Sequence, residues 1–440
     1  MIMEWYNAAA LLIGMVLFFM AMSMPVAFAF LLTNIVCGYI FIGGFASLTQ
    51  LIANAATSVS TFTLAPIPLF VIMGELFFNT GLAFRVFDAL DKCLGRLPAR
   101  LSYLAVGGGT LFSMLSGSSM ANTAMMGSLM IPDMMRRGYK KHMAMGPILG
   151  TGGLAVIIPP SGLAVLLGSL AHIDIGGLLI GGIMPGLILA GIYALTIWGM
   201  TILDPEAAPA YAVEKVSRRE MFLAVMINVM PMGLVIFCVI GLIILGIATP
   251  TEAAAFGALS VFILAAVFRC LTWEAVWKSL QGALRVTAMT FFIIIGSSTF
   301  SQIMAFSGSS TGMVSWATGF NVPPIMMLVI MFMVLVVLGM FMDQVSMMML
   351  TLPIFMPLAQ SLQFDPVWFG LIMLMALEIS FTTPPFGLLL FVMMGVAPKG
   401  TTLPEVARAA LPYIAGAFFV VALMVMFPQI VLWLPSLVPH

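Results

Sequence analysis

The sequence predicts an all-α polytopic membrane protein built from two inverted-topology repeats, and three observations carry that expectation. Of the 440 residues, 62% are hydrophobic and 7% are charged, where a soluble domain carries roughly 25% charged residues. Long apolar runs are broken twice by consecutive prolines, at Ile158-Pro159-Pro160-Ser161-Gly162 and at Thr383-Pro384-Pro385-Phe386-Gly387. The two breaks are 225 residues apart (384 minus 159), and the same offset carries Pro132 onto Pro357 and Ser118 onto Asp343 without a gap. Proline has no N–H to donate and clashes with the preceding turn, so each pair stops a helix and leaves backbone groups unbonded. Lipid cannot satisfy such groups; they persist where protein encloses a polar site, and matching breaks in two halves mark that site.

The elements follow in order, taking about 20 apolar residues for a crossing. The first repeat, 1–203, has expected spans at 8–22, 26–42 and 66–82, then a basic stretch at 85–100. The run 101–131 is interrupted from Ser116 to Ser119 into pieces too short to cross, which predicts a re-entrant helical hairpin. A span at 143–170 is broken by Pro159 and Pro160, and 175–202 closes the half. Residues 204–220 are the polar linker. The second repeat, 221–440, runs through spans at 221–245, 253–268 and 286–305 and a Gly/Ser-rich arm at 306–320. Its hairpin covers 324–358 with a tip at 339–344, its broken span 367–396, and its last span 409–433.

Lys and Arg collect in cytoplasmic loops. With the N-terminus outside and five crossings per half, every basic cluster falls inside: Arg85 to Arg100, Arg136 to Lys141, Lys215 to Arg219, Arg269 to Arg285, and Lys399 with Arg408. Five is odd, so the second repeat is inverted, one hairpin enters from each side, and both termini are expected on the outer face. The start of the chain has no basic n-region, so its first apolar run reads as a retained span. Sixteen Lys plus Arg balance sixteen Asp plus Glu, which gives no field for nucleic acid. Cys37, Cys93, Cys238 and Cys270 show no CxxC or metal spacing and read as packing residues or free thiols.

Each hairpin tip and each break presents the carbonyl end of one half-helix and the amide end of the next, which suit a cation and an anion respectively. The first site is read as Ser116, Gly117, Ser118, Ser119 and Asn122 facing Ile157, Ile158 and Ser161; the second as Gly339, Asp343 and Gln344 facing Thr382 and Thr383. Pro159, Pro160, Gly162, Pro384, Pro385 and Gly387 shape the breaks. Hard oxygen donors without His or Cys favour an alkali cation, and sodium fits. The competing readings are packing of small residues around Ser116-Gly117-Ser118-Ser119 and, for Asp343, a helix cap. An acid at membrane depth is otherwise functional by default. Glu378 is read as a supporting acid or a structural hydrogen-bond partner, and Glu75 as the partner of an arm residue. His142 is interfacial, His172 belongs to an outer loop, and Arg136 to Lys141 set topology.

Several of these motifs together resemble a known family. Ser116-Gly117-Ser118-Ser119 through Ile131-Pro132-Asp133-Met134, Arg137-Gly138-Tyr139, Ile158-Pro159-Pro160-Ser161, Gly339 to Asp343, Leu377-Glu378-Ile379 and Thr383 to Gly387 look like the large membrane subunit of tripartite ATP-independent periplasmic (TRAP) transporters. The resemblance runs from Gly74-Glu75-Leu76 to the last span. It implies an elevator-type, multi-pass secondary transporter of the bacterial inner membrane, coupled to sodium. Its implied partners are a small four-helix membrane subunit and a periplasmic substrate-binding protein. It also makes the two hairpin/break pairs sodium sites. Between the tips, near Ser118, Ser119, Ser161 and Thr383, it implies an organic anion such as a dicarboxylate, a sugar acid like sialic acid, or a keto acid. Gln344 stands where the family commonly has proline, and Gly162 where it has a larger aliphatic residue.

Rival classes fit less well. An intramembrane protease needs a nucleophile with a base or two facing acids, and Asp343 has Ser118 as its repeat equivalent. A channel shares re-entrant segments but needs no sodium gradient. A stand-alone sodium/divalent-anion carrier is the nearest alternative.

Overall fold

The computed structural model describes residues 3–95, 97–209, 217–320 and 322–438, apart from the side chains of Leu115 and Ser116. Arg96, Lys215 and the middle of the linker therefore lie outside the described residues, as does the side chain of the predicted site residue Ser116. The secondary structure of the described residues is helical, with no strand among them.

Local chemistry sets the helix ends. Pro25 separates α1 (Trp5–Ala21) from α2 (Val26–Gly38). Next comes α3 (Ala46–Val59), to which the sequence reading assigned no element. It is amphipathic, and Gln50, Asn54 and Ser58 give it a polar edge. Pro66 at the first helical position opens α4 (Pro66–Asn79). The basic stretch is α5 (Leu82–Cys93), entered through Gly81 at φ +75°. The first hairpin is α6 (Arg100–Ser116) and α7 (Ser119–Arg136). The first broken helix is α8 (Lys141–Gly152), α9 (Leu154–Ile157) and α10 (Gly162–Ala171). It is followed by α11 (Ile175–Gly181) and α12 (Ile183–Leu203).

Three capping boxes start helices of the second half: Ser217 with Glu220 for α13 (Arg218–Ala224), Thr249 with Glu252 for α15 (Pro250–Val267), and Thr402 with Glu405 for α22 (Leu403–Met426). Between the first two lies α14 (Met230–Ile244). The expected span 286–305 is the later part of α16 (Trp273–Phe306), a 34-residue helix. At 1.5 Å per residue it is about 51 Å long, well beyond the ~30 Å hydrocarbon core. The arm is α17 (Ser309–Gly319). The second hairpin is α18 (Pro324–Gly339) and α19 (Gln344–Ser361), and the second broken helix is α20 (Pro366–Thr382) and α21 (Leu388–Val396). A short α23 (Gln429–Leu432) follows α22. Single prolines do not end these helices: Pro132, Pro147, Pro353, Pro357 and Pro412 lie inside them. The two mid-span gaps fall at the doubled prolines Pro159-Pro160 and Pro384-Pro385, whose Pro-Pro bonds are cis, whereas Pro323-Pro324 opens α18.

Eight stretches among the described residues are long and apolar enough to cross a bilayer, with shorter apolar helices at α1, α18 and α20. In one packed group, α4 lies on α15 and α16, and α2 on α16. There Asn34 Nδ2 donates to Gly296 O at 2.6 Å, and Phe30 meets Phe300 edge-on. In the other group, α8 is held among α6, α7 and α22, and α20 among α18, α19 and α22. Residues Trp368 to Thr382 of α20 and Met143 to Gly152 of α8 are all buried. Helices that are apolar all round belong inside, so α8 and α20, the first segments of the two broken helices, sit at the centre of the molecule. Loops grouped together by charge also meet in space: Lys140 pairs with Asp204 at 2.5 Å, Lys141 with Glu405 at 3.0 Å, and Arg85 lies over Phe268. The Lys140 hydrogen bond holds the Asp204 carboxyl below its ordinary range.

Candidate functional site

The first hairpin turns in two residues. Gly117 ends α6 at φ +57°, a left-handed conformation that favours glycine, and Ser118 caps α7 by accepting from Ala121 N at 3.3 Å. Asn122 is fully buried and its amide ties three helices together, donating to Ser113 Oγ at 2.9 Å and Thr151 O at 3.3 Å. Its Oδ1 has no hydrogen-bond partner among the described residues; neither do Ser119 Oγ and Thr123 Oγ1. Three orphaned oxygens within five residues of one helix start are costly unless something binds them.

The facing break is equally defined. Ser161 caps α10 by accepting from Ala164 N, and its hydroxyl donates to Val156 O at 2.6 Å across the gap. The tip reaches it, since a Cβ on Gly117 would stand 4.0 Å from Pro160 O. Not every predicted donor turns toward the tip. The Ile157 carbonyl lies against Gly182, where a Cβ would come within 2.2 Å.

The second site repeats the plan with different side chains. Asp343 caps α19, its carboxylate accepting from Ser346 N at 3.1 Å and from the Ser346 hydroxyl. Ala121 and Ser346 are themselves 225 apart, so Ser118 and Asp343 make the same cap. Gln344 donates to Leu377 O at 3.3 Å, fastening the tip to α20. Gly339 allows the closest approach, as a Cβ there would lie 2.1 Å from Ser380 Oγ. Thr382 and Thr383 both donate to Ile379 O, and Gly387 sits where a Cβ would meet the carbonyls of Phe381 and Thr383 at 2.7 and 2.8 Å.

Between the tips is a cavity of about 160 Å³. Ser118 and Ser119 line it from one hairpin, Gln344 and Val345 from the other, and Gly162 and Phe381 from the broken helices; Ile67 and Glu75 of α4 with Thr290 of α16 close the opposite wall. The N-terminal starts of α7, α10 and α19 thus converge on one space. Among its described lining residues there is no Lys, Arg or His. Ser161 and Thr383 do not line it. Thr290 and Phe381 were missed because nothing in their sequence neighbourhood distinguishes them from packing residues. Glu75 accepts from Asn79 at 3.0 Å and lies against Gly282 of α16, so its neighbour is on the long helix. Glu378 is 2% exposed, and its Oε2 has no hydrogen-bond partner among the described residues.

Residues 13–430 match the family described as tripartite ATP-independent periplasmic transporter, DctM component. The chain belongs to that family. A relative from Pseudomonas aeruginosa, named C4-dicarboxylate TRAP transporter large permease protein DctM, is 32% identical over 378 residues, covering 85% of this chain and 86% of its own length. The sialic acid TRAP transporter large permease protein SiaM of Vibrio cholerae is 28% identical, covering 86% and 87%. Among solved structures, the Alcanivorax borkumensis YdaH transporter superposes with a TM-score of 0.64 at 14% identity, covering 90% of this chain and 92% of that one. Neisseria gonorrhoeae MtrF does so with 0.58 at 13% identity, covering 86% and 83%. These two show a shared fold. The chain is a multi-span TRAP large permease subunit, and its family is one of transport proteins, not enzymes.

Proposed function

We propose that this subunit imports an organic anion across a bacterial inner membrane, coupled to sodium, together with a small four-helix membrane subunit and a periplasmic binding protein. The observation that carries the reading is the pairing of each hairpin tip with a broken helix around one cavity. The orphaned oxygens of Ser119 and Asn122 supply a cation with ligands at the first tip, and carbonyls at the ends of α18 and α20 do so at the second. The three helix starts at the cavity offer amides and positive dipole ends to a carboxylate without a cationic side chain. Relatives are named for C4-dicarboxylate, sialic acid and 2,3-diketo-L-gulonate. A cavity of about 160 Å³ favours the more compact of such acids.

In this reading the two halves are inverted repeats with both termini periplasmic. The hairpins and broken helices move as one body against α1–α5 and α13–α17. The test is uptake of labelled organic acids into proteoliposomes holding both membrane subunits, with and without a sodium gradient and the binding protein. Uptake requiring both supports the proposal. Gradient-driven uptake by this chain alone would make it a stand-alone carrier, and gradient-independent flux would make it a channel.

A further inference from the structure

Residues 153 and 378 are also 225 apart, so they are equivalent positions of the duplication, yet one is glycine and the other glutamate. They touch. A Cβ built on Gly153 would stand 1.0 Å from Glu378 Oε1 and 1.8 Å from its Cδ, so the carboxyl group occupies the space where a side chain of residue 153 would begin. Equivalent residues of two copies can meet only where the copies share their axis. From that point the chain reaches each break in the same number of steps: Gly153 precedes Ile157 as Glu378 precedes Thr382, one helical turn in each case.

The carboxyl group is 2% exposed and makes no ion pair among the described residues. Beside it is a space of about 10 Å³ lined also by Tyr193, Tyr413 and Thr382, and Tyr413 Oη, like Glu378 Oε2, lacks a hydrogen-bond partner among the described residues. A buried acid left this way has no structural bond that explains it, whereas a cation site on either side of it does.

We propose that Glu378 is a positioning residue that couples the two cation sites. Its carboxylate wedges the two broken helices together on their common axis and gives both sites one shared negative charge. This rests on the sodium reading above. The wedge makes sodium binding cooperative, because ordering one broken helix orders the other, while the shared charge raises the affinity of both sites. The cooperativity then depends on a single carboxylate at the axis, whichever repeat provides it.

The test is equilibrium binding of radioactive sodium to the purified full chain in nanodiscs, with monodisperse size-exclusion profiles required of every variant. The unmodified chain should bind with a Hill coefficient above one. Glu378→Gln, which keeps the shape and removes the charge, should raise half-saturating sodium about tenfold. Gly153→Ala, which displaces the carboxylate, should bring the Hill coefficient to one. The exchange variant Gly153→Glu with Glu378→Gly should recover the cooperative binding that Glu378→Gly alone loses. Single variants that bind like the unmodified chain would overturn the inference, as would an exchange variant no better than Glu378→Gly. Absence of sodium binding by the unmodified chain would instead remove the sodium reading itself, and the inference with it.

Discussion

The first break is sealed and the second is open. Ile158 to Ser161 are buried throughout, whereas Pro385 and Phe386 are exposed, and Phe386 lies 5.4 Å from the exposed ring of Phe341 on the second hairpin tip. The backbone is nevertheless the same: Ile158 closes α9 at φ −78°, ψ 124°, and Thr383 closes α20 at φ −78°, ψ 128°. Doubled prolines fix the local dihedrals, and neighbours decide what covers them. At the first break the cover is α12, admitted by two glycines. A Cβ on Gly182 would meet Ile157 O at 2.2 Å, and one on Gly186 would meet Ile158 Cγ1 at 2.3 Å. A small residue every fourth position allows close helix approach. The equivalent positions, 225 residues on, are Ala407 and Leu411, and Leu411 is exposed.

The most severe way to break this comparison is to heal the gaps. Pro384→Ala with Pro385→Ala, and separately Pro159→Ala with Pro160→Ala, should each restore helix and abolish sodium-driven uptake while membrane insertion persists. The sealed break should also lose thermal stability, and the open one should lose far less; equal melting temperatures would contradict the contrast. Next, Gly186→Leu copies the open repeat onto the closed one. Its side chain collides with Ile158 and should cost about 1–3 kcal/mol of stability through overpacking. It should also expose a Ser161→Cys probe to a thiol reagent in a background without native cysteines.

Smaller effects sharpen the picture. Gly339→Ala forces the second tip off Ser380 and should lower uptake about tenfold, whereas Gly117→Ala makes only an ordinary contact with Pro160 O and should cost only the ~1–2 kcal/mol of a left-handed residue, read by thermal unfolding. Asp343→Asn retains an acceptor for the cap and so should leave stability unchanged while raising the sodium needed for half-maximal uptake. Unchanged sodium activation would reduce Asp343 to a cap. The least effect belongs to Lys140→Ala. Asp204 is held below its ordinary carboxyl range, so its pairing stabilises the fold above the unfolded carboxyl range and is lost as pH falls through the lowered folded value. The variant should therefore unfold only slightly more easily at neutral pH, and no more easily than the unmodified chain in acid.

Much of the site was legible because chain order alone brings its parts together. A hairpin tip and the break that follows it are close in the chain, so the first tip could be paired with its break, and the second tip with α20, from spacing. The opposite wall could not. Glu75 and Thr290 reach the cavity from helices far apart in sequence, and their approach depends on how α4 packs against α16. The helix α3 was unreadable as a span because its polar edge, which bonds Ser298 and Gln302 of α16, dilutes its apolar character. At the equivalent place, residues 48–81 of the first half are two helices parted near Pro66, where the second half has the single unbroken α16. Proline again marks the difference.

The sequence by itself determined the membrane class, both hairpins and both breaks, because hydropathy and doubled proline are local or periodic signals that need no partner. Tertiary structure alone decided that one break is covered and the other open, and that Glu378 fills the place left by Gly153. Those outcomes depend on which surfaces come within van der Waals reach, and glycine at residues 153, 182 and 186 acts through what packs against it.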